Sequence, residues 1–159
     1  MYTLRRERAG FLGGICVCAS NWSRVSRMYQ FFLAPGEEDE PLPLPDSPWH
    51  DRRGVRMPME HWERFDELVA ARMPEFLDEW DFFSNLDGEF APRQRVEAYR
   101  AALARLHQLV GEVDPLTPEV TPEIPENFPP AEHQAMLAAV MAVVDESLRL
   151  GEPFDSYVD

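Results

Sequence analysis

The chain contains no lysine: all fifteen of its basic side chains are arginine. The glycine cluster Gly10–Gly14 therefore has no lysine to complete a phosphate-binding loop, and it lacks the spacing of a dinucleotide fingerprint. Arginine forms forked pairs with carboxylates, so some of the acids are expected to be tied down within the fold. The same skew, with abundant alanine, proline and glutamate, matches the coding bias of a GC-rich bacterial genome. Cysteine is nearly absent. Cys16 and Cys18 stand two apart, on one face of any strand, with parallel Cβ vectors that do not suit a disulfide. No second cysteine pair accompanies them, so a zinc site is not expected; they read as small buried residues in a reducing, cytoplasmic protein.

Other absences narrow the field further. No stretch approaches the ~20 apolar residues needed to span a bilayer, so no membrane partner is expected. The histidines His50, His61, His107 and His133 are scattered, and none sits in a His-Glu-x-x-His pattern. There is no Gly-x-Ser-x-Gly nucleophile turn. Arg5, Arg6 and Arg8 ahead of Ala9–Ala19 resemble the opening of an export signal, but three glycines break the run and Glu7 interrupts the basic patch. Residues 1–19 read instead as strand material.

What the chain has is acid, concentrated in one place. Residues 60–89 hold ten acids against Arg64 and Arg72, a net of −8 out of a formal −14 for the whole chain. Interleaved with them is a heavy aromatic load: Trp62, Phe65, Phe76, Trp80, Phe82, Phe83 and Phe90. Acids alone make a solvated tail; acids alternating with large apolar groups make a folded element with a charged outer face. Such a face attracts basic partners and repels nucleic acid. Residues 1–36, with five arginines against Glu7, are net positive, so the charge is segregated along the chain.

The apolar spacing predicts an α+β protein in a single domain over 1–159, with three to four main helices on a small, mainly antiparallel sheet. Ser20-Asn21 followed by Trp22, Val25, Met28, Tyr29, Phe32 and Leu33 suggests a helix, with a strand as the competing reading for Met28–Leu33. Proline-rich surface loops are expected over 35–57 and 112–129, the second anchored by Val120, Ile124 and Phe128. Pro58 opens a helix carrying Trp62, Phe65, Leu68, Val69 and Met73; Pro74 ends it and begins another with Phe76, Leu77, Trp80 and Phe83. A third runs from Pro92 through Val96, Tyr99, Leu103, Leu106 and Val110 to a stop at Gly111, and a fourth from Pro130 to Gly151. The tail, through Phe154, Tyr157 and Val158, suits a short edge strand.

Two features invite chemistry and fall short of it. The turn Phe83–Phe90 has the central glycine of a calcium loop in Gly88, with Asn85 and Asp87 correctly placed. Phe83 and Gln94 nevertheless stand where the first ligand and the bidentate carboxylate belong. The expected role of this turn is structural, with Gly88 at positive φ and the Asp87 carboxylate on nearby amides. Carboxylate pairs such as Asp78/Asp81 or Asp87/Glu89 would do acid–base work only if desolvated, and a carboxylate hydrolase is the weaker alternative. No cofactor and no catalytic role are expected.

The sequence also resembles a known group. The Asp87-Gly88-Glu89 turn, the helix of form Pro-Arg-x-Arg-Val-Glu-x-Tyr-x-x-Ala-Leu-x-x-Leu from Pro92 to Leu106, and the close on Gly151-Glu152-Pro153-Phe154 are similar to small bacterial immunity proteins, in particular immunity protein family seventy. The similarity covers mainly residues 76–110 and 133–155. It implies a protein that binds and neutralises a cognate toxin rather than catalysing a reaction; an accessory or scaffolding subunit is the alternative. On charge and aromatic content the expected partner-binding residues are Asp66, Glu67, Asp78, Glu79, Trp80, Asp81, Phe82, Asp87 and Glu89, with Glu37–Glu40 as a second surface. The acids are expected to steer a basic toxin, and a partly exposed Trp80 or Phe82 to hold it.

Overall fold

The computed structural model describes residues 28–42, 49–112, 124 and 128–159. The expected strands over 1–19, the Ser20-Asn21 cap and Val120 lie outside the described residues. The chain runs β1 (Tyr29–Leu33), β2 (His50–Asp51), β3 (Gly54–Pro58), α1 (Met59–Arg72), a single 3-10 turn (Pro74–Phe76), α2 (Leu77–Ser84), α3 (Arg93–Glu112), α4 (Pro130–Leu150) and β4 (Asp155–Val158). The strands form an antiparallel sheet in the order β2-β3-β1-β4, so the protein is α+β and rich in helix. Among the described residues no helix is long and apolar enough to cross a membrane.

The segment Tyr29–Leu33 is a strand and not the end of a helix. Gln30 and Phe32 are buried while Tyr29 and Phe31 are half-buried and Leu33 is exposed, the period of two that a sheet imposes. Pairing on both sides, with β3 and β4, satisfies its backbone and overrides the helical spacing. A second correction concerns 35–57. The prolines keep 35–42 irregular, but none falls between Trp49 and Met57, and there Val55 and Met57 point inward to form β3 of a hairpin. In the other loop, Ile124 is buried and Phe128 is half-buried against the core, as anchors should be. The tail forms the expected edge strand, with Tyr29 and Asp159 exchanging backbone hydrogen bonds at 2.7 and 3.1 Å.

The helices fall where the prolines and apolar stripes place them. Trp62, Phe65, Leu68, Val69 and Met73 of the first stripe are all buried, as are Val96, Tyr99, Leu103, Leu106 and Val110 of the third. Helix α4 ends on Gly151 in the left-handed conformation, its N–H on the Ser147 carbonyl. Gly111 is not a stop: α3 continues through Glu112. A Cβ there would meet the end of the Gln134 side chain, its Nε2 at 2.5 Å, and that amide donates to the His107 carbonyl, so the glycine leaves room for this bond between α4 and α3. These two helices run antiparallel, since Arg93, Arg100 and His107 face Leu148, Asp145 and Gln134 in turn.

Two arrangements hold the layers together. The first is a column of rings: Phe32 against Trp62 (4.9 Å between centroids), Trp62 stacked on Trp80 (4.6 Å), Trp80 near Tyr99 (6.0 Å), Tyr99 stacked on Phe83 (4.5 Å), and Phe83 on Phe154 (5.8 Å). The second is polar. Arg53, 5% exposed, donates to the carbonyls of Pro35 and Glu40 and to the Glu146 carboxylate at 2.7 Å. Arg149 and Arg53 together hold Glu146 down to a pKa of about 2, so it stays ionised inside the fold.

Removing one member of a buried charged cluster leaves the others desolvated and unpaired. Arg53→Ala is therefore expected to cost about 3 kcal/mol, or roughly 6–12 °C in Tm for a chain of this size. Arg53→Ala combined with Glu146→Gln should cost less than the two changes summed. Thermal and urea unfolding check both, and an unchanged Tm in Arg53→Ala would remove the cluster as a support. Tyr99 offers the opposite case: its hydroxyl is fully buried with no hydrogen-bond partner among the described residues. Tyr99→Phe should raise stability by about 1 kcal/mol, because the unmade bond disappears while the ring stays; a destabilised variant would mean the hydroxyl has a partner.

Candidate functional site

The acids expected to meet a partner divide into three groups. On α1 and α2, Asp66 is half-buried where the helices meet, its carboxylate accepting from Trp80 Nε1. Its pKa is raised, first by burial and then by the charges of Asp81, Glu63 and Glu67, with the indole bond opposing. Those influences place Asp66, Asp81, Glu63 and Glu67 within one electrostatic neighbourhood spanning two helices. The spacing explains it: 63, 66 and 67 share a face of α1, and Asp81 lies one turn below Asp78 on α2.

Arginine interrupts this surface at three points. Arg64 binds Glu67 at 2.8 Å, Arg95 binds Glu79 at 2.7 Å and Arg105 binds Glu75 at 2.6 Å. Glu63, Asp78, Asp81, Asp87 and Glu89 are exposed and form no ion pair among the described residues. The expected anionic surface is thus partly neutralised, and its free charge lies on these five. Exposed pairs of the Arg105–Glu75 kind add little to stability, but each one removes a carboxylate from the field a partner meets.

The aromatic anchors need correction. Trp80 is 1% exposed, stacked on Trp62 and bonded to Asp66, and so presents nothing to a partner. Its position on the α2 stripe, three residues before Phe83, turned it inward with that stripe. Phe82 is half-buried with the Arg95 guanidinium over its ring at 3.7 Å. Among the described residues, the large ring that does face solvent is Phe90, 72% exposed. It belongs to neither helical stripe, since it lies between the ends of α2 and α3, and that was the available signal.

Asp87 and Glu89 sit in the turn between those helices, where Asp87 and Gly88 both have positive φ (46° and 78°). The carboxylate that braces this turn is not Asp87 but Asp155 of β4, which accepts from the Gly88 and Ser156 amides. Ser156 Oγ accepts from the Leu86 amide and donates to the Phe83 carbonyl, while Gln30 Nε2 donates to the Ser84 carbonyl at 2.7 Å. The sheet thereby caps the end of α2 and leaves the Asp87 and Glu89 side chains in solvent. The Glu37–Glu40 run is exposed, and its fold is fixed from below by Arg53.

Next to this turn is a pocket of about 150 Å³, floored by Phe83, Val96 and Phe154 and walled by Ala91 and Leu148. Phe90, Glu89, Arg93 and Glu152 stand at its lining as well. Among the described residues no group of three or more histidine, cysteine or acidic side chains is arranged to hold a metal ion.

The fold also joins two histidines that the sequence leaves 72 residues apart. His61 Nδ1 lies 3.0 Å from His133 Nε2, between α1 and α4, with Phe65, Phe128 and Trp49 around the rings. Burial lowers the pKa of His61 to about 4, against the pull of Glu60. Burial, with the His61 and Arg64 charges adding, lowers that of His133 to about 3. Neither signal was legible beforehand, because each histidine occupies an ordinary apolar position of its own helix.

Both folded values lie below the ordinary 6.5, so as pH falls the unfolded chain takes up protons first. The stability the neutral pair supplies is complete above pH 6.5 and lost as pH falls through the folded values near 4 and 3. His133→Gln keeps a hydrogen-bonding side chain without the titration. Its urea-unfolding free energy should fall less steeply between pH 6.5 and 4 than that of the parent; an equal slope would assign the acid sensitivity elsewhere.

Compared with family models, with curated proteins and with solved structures, the chain matches none.

Proposed function

We propose that this protein is a non-catalytic immunity protein, which binds a cognate bacterial toxin in the cytoplasm and neutralises it by covering a basic surface or active site. The observation that carries the reading is the gathering of Glu63, Asp66 and Asp81 from two helices into one electrostatic neighbourhood, where, among the described residues, Glu67 alone is ion-paired, to Arg64, with exposed Asp78 nearby in sequence. Charges held together on rigid helices produce a directional field, and such a field speeds encounter with a basic partner. The resemblance of the Pro92–Leu106 helix and the Gly151–Phe154 close to immunity protein family seventy supplies the class of partner. Arg95 also stiffens this surface, tying Glu79 while its guanidinium lies over the Phe82 ring.

The test uses the product of the neighbouring gene, in stopped-flow association and in co-expression. The association rate should fall by about tenfold or more from low to high salt. Glu63→Gln/Asp78→Asn/Asp81→Asn should slow association several-fold at low salt, with dissociation nearly unchanged. A rate indifferent both to salt and to the triple substitution rejects steering. A toxin as lethal with this protein as without it rejects immunity altogether.

A further inference from the structure

We propose that the pocket between the 86–92 turn, the start of α3 and the end of α4 receives one aromatic or branched aliphatic side chain of a basic protein segment, whose flanking arginines or lysines meet Glu89 and Glu152. The inference rests on the reading of the partner as a basic protein and adds the place where it is anchored. Size argues for one side chain: about 150 Å³ is the volume of an apolar cavity that holds a benzene ring. Chemistry argues for an apolar one, because Phe83, Val96 and Phe154 form the floor. Phe90, the most exposed of the large apolar side chains described, stands beside the opening and offers a ring for the incoming group to lie against.

Charge selects the flanks. Glu89 and Glu152 are exposed at the lining, and Asp87 is exposed two residues before Glu89. The single basic group there, Arg93, is already committed to Glu97 and to the Leu148 carbonyl, both at 2.9 Å. An apolar pocket inside an acidic rim is the anatomy of a binding hot spot for a basic segment. A second copy of this chain is disfavoured as the occupant, because it would bring Glu89 and Glu152 against another surface of a chain with net charge −14. A free apolar molecule would fill the pocket but leave the rim acids unused.

Three end-blocked peptides decide among these by amide-shift NMR titration of the full chain: Arg-Arg-Phe-Arg-Arg, Ser-Ser-Phe-Ser-Ser and Arg-Arg-Ser-Arg-Arg. The first should shift Ala91, Val96, Gly151 and Phe154 and bind at least about tenfold more tightly than either control. Phe90→Ala and Glu89→Gln/Glu152→Gln, both at exposed positions, should each weaken it about fivefold or more, while Glu132→Gln, exposed at the opposite end of α4, leaves it unchanged. Equal binding of the serine-flanked peptide overturns the selection of basic flanks. Shifts confined to α1 and α2 overturn the pocket while leaving the acidic-face reading intact. Self-association that disappears in Phe90→Ala overturns it in favour of a second copy. Conversely, a seated peptide together with a toxin that never binds supports the pocket and rejects the immunity reading.

Discussion

The stacked pair Trp62–Trp80, with centroids 4.6 Å apart, is the contact on which the arrangement of this molecule turns. One ring comes from α1 and the other from α2. Trp62 passes the contact to Phe32 of the sheet, and Trp80 passes it through Tyr99 to Phe83 and Phe154. A fully buried aromatic side chain is worth several kcal/mol to a core, and here consecutive rings tie the sheet to α1, α2 and α3. Once the two indoles face each other, the orientation of both helices about their axes is fixed. The carboxylates on the opposite faces then have nowhere to go but outward.

The same geometry explains why the acidic surface is uneven. Asp66 sits closest to the seam between the helices, so it is drawn into the indole hydrogen bond and half-buried among other acids. Helix α3 passes alongside and supplies arginines at 95 and 105, which reach Glu79 and Glu75 across the interface. What is left charged and free lies at the helix face around Glu63, Asp78 and Asp81 and at the turn with Asp87 and Glu89. That turn owes its shape to β4: Asp155 and Ser156 hold its amides, and so the last strand of the chain positions a surface that lies some 70 residues earlier. The pocket beside it is a consequence, formed where the turn, α3 and the end of α4 fail to close over Phe83 and Phe154.

Much of the fold was legible in particular residues. Pro58, Pro74, Pro92 and Pro130 mark helix beginnings because proline loses no bond there, and the stripes from Trp62 to Met73 and from Val96 to Val110 are long enough for the period to be unambiguous. Short runs were not. Five residues at 29–33 satisfy a helical spacing and a strand alternation equally, and only the neighbouring strands choose between them. Gly111 reads as a stop until α3 is seen to run past it, with the Gln134 amide of α4 lying against it. Trp80 reads as a surface anchor in an acid-rich helix until its ring is seen against Trp62.

The class of the fold, the faces of the long helices and the concentration of acid in the middle of the chain all follow from residue order alone, because periodicity and charge are local properties of a polymer. Tertiary structure decided which acids keep their charge, which ring faces solvent, and that His61 and His133 meet at 3.0 Å. Those outcomes depend on contacts between segments far apart in the chain, where a partner such as Arg95 or Asp155 is chosen by packing and leaves no mark in the spacing of the residues it serves.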